Sequence, residues 1–109
     1  MIDLETLEDA EIRLKQDRIV LLYFSLPDCG VCEAVRPKVE QMLADRPQIA
    51  AYEIGIGRLP AAAGRFEVFV APTLLLFIEA KETIREARYF SMELLVERID
   101  RYLELIGSV

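Results

Sequence analysis

Along residues 4–17, Leu4, Leu7, Ile12 and Leu14 lie among Glu, Asp, Arg and Lys. Spacings of three and seven suit one face of a helix. Residues 19–24 form an unbroken apolar run of β-branched, Leu and aromatic side chains, closed by Ser25-Leu26-Pro27-Asp28. The run is too short for a buried helix and predicts a strand buried on both faces. A helix is expected over 33–46, with Val35, Val39, Met42 and Leu43 on one face. Ile49, Tyr52, Ile54 and Ile56 mark a second strand over 48–56, and 58–66, with Pro60 near its start and an alanine run, reads as a short helix. Residues 73–78 form another apolar strand behind Ala71-Pro72, and 81–89 alternate as a strand with one wetter face. Ser91 is placed to cap a last helix over 92–106, with Leu94, Leu95, Ile99, Tyr102 and Leu103 facing inward.

The order α-β-α-β-α-β-β-α implies parallel crossovers between the early strands and a hairpin at the end. The fold class is therefore α/β: a central mixed sheet of about four strands flanked by helices, with an extra N-terminal helix. A length of 109 residues suits a single domain over 1–109, and a hydrophobic fraction of 53% supplies a core. The longest uncharged stretch, 68–78, contains Pro72 and is far short of the ~20 residues of a membrane span. A net charge of −6 argues against a nucleic-acid partner, which calls for a basic stripe. The acidic N-terminal segment has neither the basic start nor the apolar centre of a secretory signal, so a cytoplasmic location is expected if the chain is complete.

The chain has no histidine, which excludes imidazole catalysis, and its two cysteines stand together in Cys29-Gly30-Val31-Cys32. A structural zinc site or an iron–sulfur cluster would need further ligands from carboxylates or a second chain, and no resident metal or cofactor is expected. Buried structural cysteines would not require this spacing. Redox chemistry remains. Cys29 falls where a helix begins, and unpaired N–H groups and the helix dipole there favour a thiolate. Cys32 lies one turn on, shielded yet close enough to attack a mixed disulfide at Cys29. Gly30 and Val31 keep the bridge tight. Asp28 and Glu33 bracket the pair and oppose the thiolate, while Arg36 can offset Glu33 through an i,i+3 pair. Cys29 is therefore expected to be only mildly acidified.

The run Tyr23-Phe24-Ser25-Leu26-Pro27-Asp28-Cys29-Gly30-Val31-Cys32, Pro37 beyond it, and Ala71-Pro72-Thr73-Leu74-Leu75-Leu76-Phe77 resemble the active-site segment, helix-kinking proline and cis-proline loop of the thioredoxin family. The element order extends the resemblance from Leu4 to Ile106. It implies a thioredoxin fold and dithiol–disulfide exchange, with Cys29 attacking, Cys32 resolving and a reductase recycling the pair. It also implies a cis Pro72 beside the cysteines, with the Val70 carbonyl and the Ala71 backbone free to pair with a substrate strand.

The departures are specific. Val31 replaces the usual proline, which predicts a middling potential within the roughly −270 to −120 mV of such relatives. Ser25 and Asp28 replace flanking tryptophans. Tyr23 stands where the family buries an aspartate, leaving water or Glu33 to take the Cys32 proton. Arg88 or Tyr89 falls where the family has a glycine beside the docking groove. The expected partners are a disulfide-bearing protein or low-molecular-weight thiol and a recycling reductase, with the chain a monomer or weak dimer. The apolar residues Phe66, Phe69 and Val70 are candidates for groove, dimer contact or core. The alternative function is a thioredoxin-fold adaptor or redox-sensing module without turnover.

Overall fold

The computed structural model describes residues 1–108. Its sheet is built around the most apolar segment of the chain, β2 (Ile19–Ser25), every residue of which is buried. On one side β2 pairs in parallel with β3 (Ala50–Gly55), Val20 facing Ala50 and Ser25 facing Gly55. On the other it pairs antiparallel with β4 (Thr73–Ile78), Ile19 facing Ile78 and Phe24 facing Thr73. The edges are β1 (Ile2–Asp3), parallel to β3, and β5 (Lys81–Ala87), antiparallel to β4, giving the order β1-β3-β2-β4-β5. Parallel neighbours cannot be joined by a tight turn. The helix α2 (Gly30–Ala44) makes the crossover from β2 to β3, while α1 (Leu7–Gln16) leads from β1 to β2. Of the others, α3 (Pro60–Phe66) leads from β3 to the oppositely directed β4, and α4 (Met92–Leu105) follows the β4–β5 hairpin.

Alternation along β2 divides the core in two. Val20, Leu22 and Phe24 pack with Leu14, Ile54, Phe66 and Phe77, with the Phe66 ring edge-on to both Phe24 and Phe77 at centroid distances of 5.8 and 5.7 Å. Ile19, Leu21 and Tyr23 pack with Val39, Met42, Leu95 and Ile99 of α2 and α4. Full burial of each such aliphatic or phenyl side chain contributes about 1.5–3 kcal/mol.

The structure corrects several sequence expectations. The sheet has five strands, because the two residues of β1, too few to show a period, add to the edge of β3. The first helix starts at Leu7, where the Thr6 hydroxyl caps it by accepting from the Asp9 N–H at 3.0 Å. Leu4 precedes the helix and extends the edge pairing, its N–H donating to the Glu53 carbonyl at 2.9 Å. Ile12 and Leu94 face solvent, at 58% and 60% exposure, while Leu95, Ile99 and Leu103 take the inward stripe of α4 at spacing four. The Ser91 hydroxyl caps α4 by accepting from Leu94 N–H at 3.2 Å. Phe66 is core, whereas Phe69 and Val70 are exposed.

Ile78 pairs with Lys81, so Glu79 and Ala80 alone turn the hairpin, with φ of +51° and +65°. Left-handed backbone at both central residues is the type I′ requirement that Asn-Gly satisfies best. A side chain there costs roughly 1–2 kcal/mol per residue. Replacing the pair together, Glu79→Asn with Ala80→Gly, is expected to stabilise the chain by about 1 kcal/mol. The urea midpoint should rise at unchanged slope; a fall would show that the turn is not held as described.

Candidate active site

The buried β2 ends at Ser25 and releases the chain into Leu26-Pro27-Asp28, with Asp28 left-handed at φ +56°. That turn sets Cys29 as the N-cap of α2. Its Sγ accepts from the Cys32 N–H at 3.2 Å, satisfying one of the donors that every helix start leaves open. The two sulfurs are bonded, with the Cα atoms 5.2 Å apart. The partners differ in access: Cys29 is half-buried and Cys32 fully buried. Gly30, exposed, and Val31, half-buried, make the connecting turn. A Cβ placed on Gly30 would meet nothing within 4 Å, so close packing does not explain the glycine. Pro37 lies inside α2.

Below the pair, Tyr23 is wholly buried and its hydroxyl donates to the Cys32 carbonyl at 2.8 Å. Burial pushes the phenol up to about 12, so it remains a neutral donor at ordinary pH. Its neighbour across β2 and β3 is Glu53, the one charged side chain in an otherwise uncharged strand. Glu53 accepts from the Ser25 hydroxyl at 2.6 Å and from Arg36 at 2.9 and 2.6 Å. Arg36 also reaches Glu33 at 2.8 Å, the i,i+3 pair expected from the sequence, and lies 5.8 Å from the Tyr23 ring centroid. Burial pulls the Glu53 carboxyl upward, but the Arg36 and Ser25 hydrogen bonds outweigh it and hold the group below the usual range. These bonds to its two carboxylates raise the Arg36 guanidinium despite partial burial. Ser25, Leu26, Pro27, Glu33, Arg36 and Arg58 line an open cleft of about 480 Å³ on this side.

On the other side of β2, the Ala71–Pro72 peptide bond is cis. Because Phe24 faces Thr73, this loop stands at the sheet end where β2 delivers the cysteines. The Val70 and Ala71 carbonyls, expected to be free, both have partners. The Thr73 hydroxyl donates to Val70 O at 2.7 Å, and Arg88 Nη1 donates to Ala71 O at 3.2 Å. Arg88, at φ +57°, also donates its own N–H to Pro72 O at 2.6 Å. The left-handed backbone identifies Arg88, rather than Tyr89, as the residue at the glycine-like position.

Cys29, Cys32, Gly30, Val31, Asp28 and Glu33 thus surround one helix start, and Val70, Ala71 and Pro72 stand at the same end of the sheet. Sequence reasoning missed Glu53, its link to Arg36, and the Ser25 hydroxyl. A carboxylate alternating with Tyr52 and Ile54 was the available signal, since period two puts it on the inner face with Tyr23. Among the described residues, no group of three or more His, Cys, Asp or Glu could hold a metal ion. No helix among them is long and apolar enough to cross a membrane.

The depressed Glu53 pKa has a signed consequence. Its contribution to stability is present above the unfolded carboxyl value, about 4.3, and is lost as pH falls through the lower folded value. Glu53→Gln is therefore expected to cost about 2 kcal/mol at pH 7, as a charge-assisted hydrogen-bond network does. The gap from the parent should close toward pH 3 in urea titrations. A gap independent of pH would remove the ion pair as its cause.

Comparison with known proteins agrees with this geometry. The family model described as Thioredoxin matches residues 4–101. The chain is 38% identical over 105 residues to thioredoxin-like protein YdfQ of Bacillus subtilis, covering 96% of this chain and 94% of that one. It is 31% identical over 81 residues to thioredoxin-1 of Saccharomyces cerevisiae, covering 74% and 79%. The X-ray structure of Fasciola hepatica thioredoxin superposes with a TM-score of 0.84 at 26% identity, covering 93% of this chain and 98% of that one. The chain belongs to the thioredoxin family, and its bonded CxxC pair supports thiol–disulfide oxidoreductase chemistry in general.

Proposed function

We propose that the chain is a dithiol–disulfide oxidoreductase that reduces disulfides of proteins or of low-molecular-weight thiols. The observation that carries this reading is the unequal access of two bonded sulfurs at one helix start: Cys29 half-buried, Cys32 fully buried. In the reduced protein the Cys29 thiolate attacks one sulfur of the client disulfide. A mixed disulfide forms and the first client sulfur leaves as a thiolate that takes up a proton. Cys32 loses its proton to water or to the exposed Glu33 and attacks Cys29 Sγ. The second client thiol is released and the Cys29–Cys32 bond forms. Two electrons pass from the pair to the client. A reductase or external dithiol returns them, completing the cycle in a cytoplasmic monomer or weak dimer.

The tuning follows from charge. The Cys32 N–H on Cys29 Sγ and the dipole of α2 favour the thiolate, while Asp28 opposes it. Glu33 opposes it less, because Arg36 holds its carboxylate. Tyr23, neutral up to about 12, does not serve as a base for Cys32. The reduced Cys29 should be only mildly acidified relative to a free cysteine. Thiolate absorbance measures its pKa, and a value near 4 would contradict this balance.

One observation favours a second reading, an adaptor or redox sensor without turnover: Arg88 already occupies the Ala71 carbonyl at which a client strand would pair. Insulin reduction with dithiothreitol separates the two. The oxidoreductase reading expects turnover that Cys29→Ser abolishes, together with client mixed disulfides that accumulate on Cys32→Ser. Absence of both results would leave the adaptor.

A further inference from the structure

Among the described residues most arginines are held by carboxylates: Arg13 by Asp9, Arg18 by Glu79, Arg36 by Glu53, Arg46 by Asp100, Arg58 by Asp3, Arg65 by Glu11, Arg85 by Glu82 and Arg98 by Glu86. That leaves Arg88 and, on the last helix away from the cysteine pair, Arg101. Arg88 has no carboxylate within ion-pair distance among the described residues. Its guanidinium donates one hydrogen bond to Ala71 O at 3.2 Å and stands 5.0 Å from the ring centroid of Tyr89, which is 75% exposed. A guanidinium has five N–H donors in a planar fork, so most of its capacity toward a carboxylate is unused. Phe69 and Val70, both exposed, add apolar surface in the segment leading into the same loop. β4 and β5 fix this placement, since Thr73 faces Ala87 and the Arg88 N–H is bonded to Pro72 O.

We propose that Arg88 is a specificity-determining residue that favours disulfides carrying a carboxylate next to the reacting cysteine. This rests on the oxidoreductase reading above. A client segment laid along the cis-Pro72 loop meets the Ala71 carbonyl with Arg88 already on it. A client carboxylate is a stronger acceptor for the guanidinium than a neutral carbonyl. An acidic client therefore draws Arg88 off Ala71 and frees that carbonyl for main-chain pairing. A neutral client has nothing to offer in exchange, and a basic one is repelled. Asp28, which has no cation within ion-pair distance among the described residues, repels a carboxylate laid against the start of α2, so the acid is favoured on the Arg88 side.

The reduced full-length protein is mixed in turn with two symmetric peptide disulfides, differing only in Asp or Lys beside the cysteine, and with uncharged hydroxyethyl disulfide. Second-order rate constants are divided by those of dithiothreitol with the same disulfide, which removes the intrinsic reactivity of each. The parent should prefer the Asp peptide over the Lys peptide by roughly fivefold, a preference that shrinks as salt screens the charges. Arg88→Gln, which keeps an amide donor for Ala71 O, should bring the ratio to about one, and Arg88→Glu should invert it. Hydroxyethyl disulfide, which has neither charge nor main chain, is measured with each protein, and the peptide rates are read as the Asp-to-Lys ratio within one protein, so that any general change in exchange rate cancels. A preference unchanged in Arg88→Gln, with hydroxyethyl disulfide still reduced, overturns the role of Arg88 and leaves the oxidoreductase standing. Failure of the parent to reduce any of the three overturns the oxidoreductase reading itself.

Discussion

The redox end of this molecule depends on the antiparallel ladder between β2 and β4. β2 is buried on both faces, and its pairing with Thr73–Ile78 brings its C-terminal end beside the start of β4. The loop that presents Cys29 and the loop that carries the cis Pro72 are thereby neighbours. β3 adds a third segment at the same end, the Ile56 N–H donating to Ser25 O at 2.9 Å, and β5 adds Arg88. The register is set by apolar alternation. A slip of one residue would turn Tyr23 from the α2 side to the α1 side and separate its hydroxyl from the Cys32 carbonyl. Leu21, Leu22, Tyr23 and Phe24, all fully buried, make that slip costly on both faces at once.

Two kinds of polar contact then finish the site, and they differ in what a change of pH does to them. The Tyr23 hydroxyl on the Cys32 carbonyl is a neutral bond in the core, unaffected until its proton is lost near 12. The Glu53–Arg36–Glu33 cluster is ionic and half-exposed, and its strength lies in geometry: two donors of Arg36 meet both oxygens of Glu53, and Ser25 gives a third bond. With Arg36 shared between Glu33 and Glu53, the acid one residue beyond Cys32 is partly neutralised. The helix start thus keeps more of its positive character toward Cys29 than the sequence count of charges suggests.

The parts of this arrangement that rest on short-range pattern are legible in the chain: the double-sided burial of β2, the span of β4, the Ser91 cap, the Cys29–Cys32 spacing at a helix start and the Glu33–Arg36 pair. What is not legible depends on register across strands or on backbone angles. Glu53 gains its meaning because Tyr23 of β2 lies opposite it: the period of two gives the face of Glu53 within β3, but not the partner that the register sets against it. The two residues of β1 are too few to carry a periodic signal. Leu94 counts as apolar in any pattern, yet faces solvent because Leu95 and Ile99 set the inward stripe. The Arg88–Ala71 contact requires a left-handed residue where the chain offers an arginine, so its type gives no warning.

That backbone angle recurs at both margins of the site. Asp28 and Arg88 both hold φ near +56°, where a β-carbon costs roughly 1–2 kcal/mol per residue and glycine costs nothing. The two positions stand at the loops that present the cysteine pair and the cis-proline strand. Elsewhere, at Gly107 (φ +73°), the chain does use glycine for such an angle. At Asp28 and Arg88 it places opposite charges instead, one before Cys29 and one on the Ala71 carbonyl. Glu67, Glu79 and Ala80 bear the same angle away from the site, so the angle alone marks no function; what sets Asp28 and Arg88 apart is their position, at the loops of the cysteine pair and of the cis-proline strand. Both are exposed, so the two opposite charges are presented to solvent on either side of the sheet end that carries the cysteine pair.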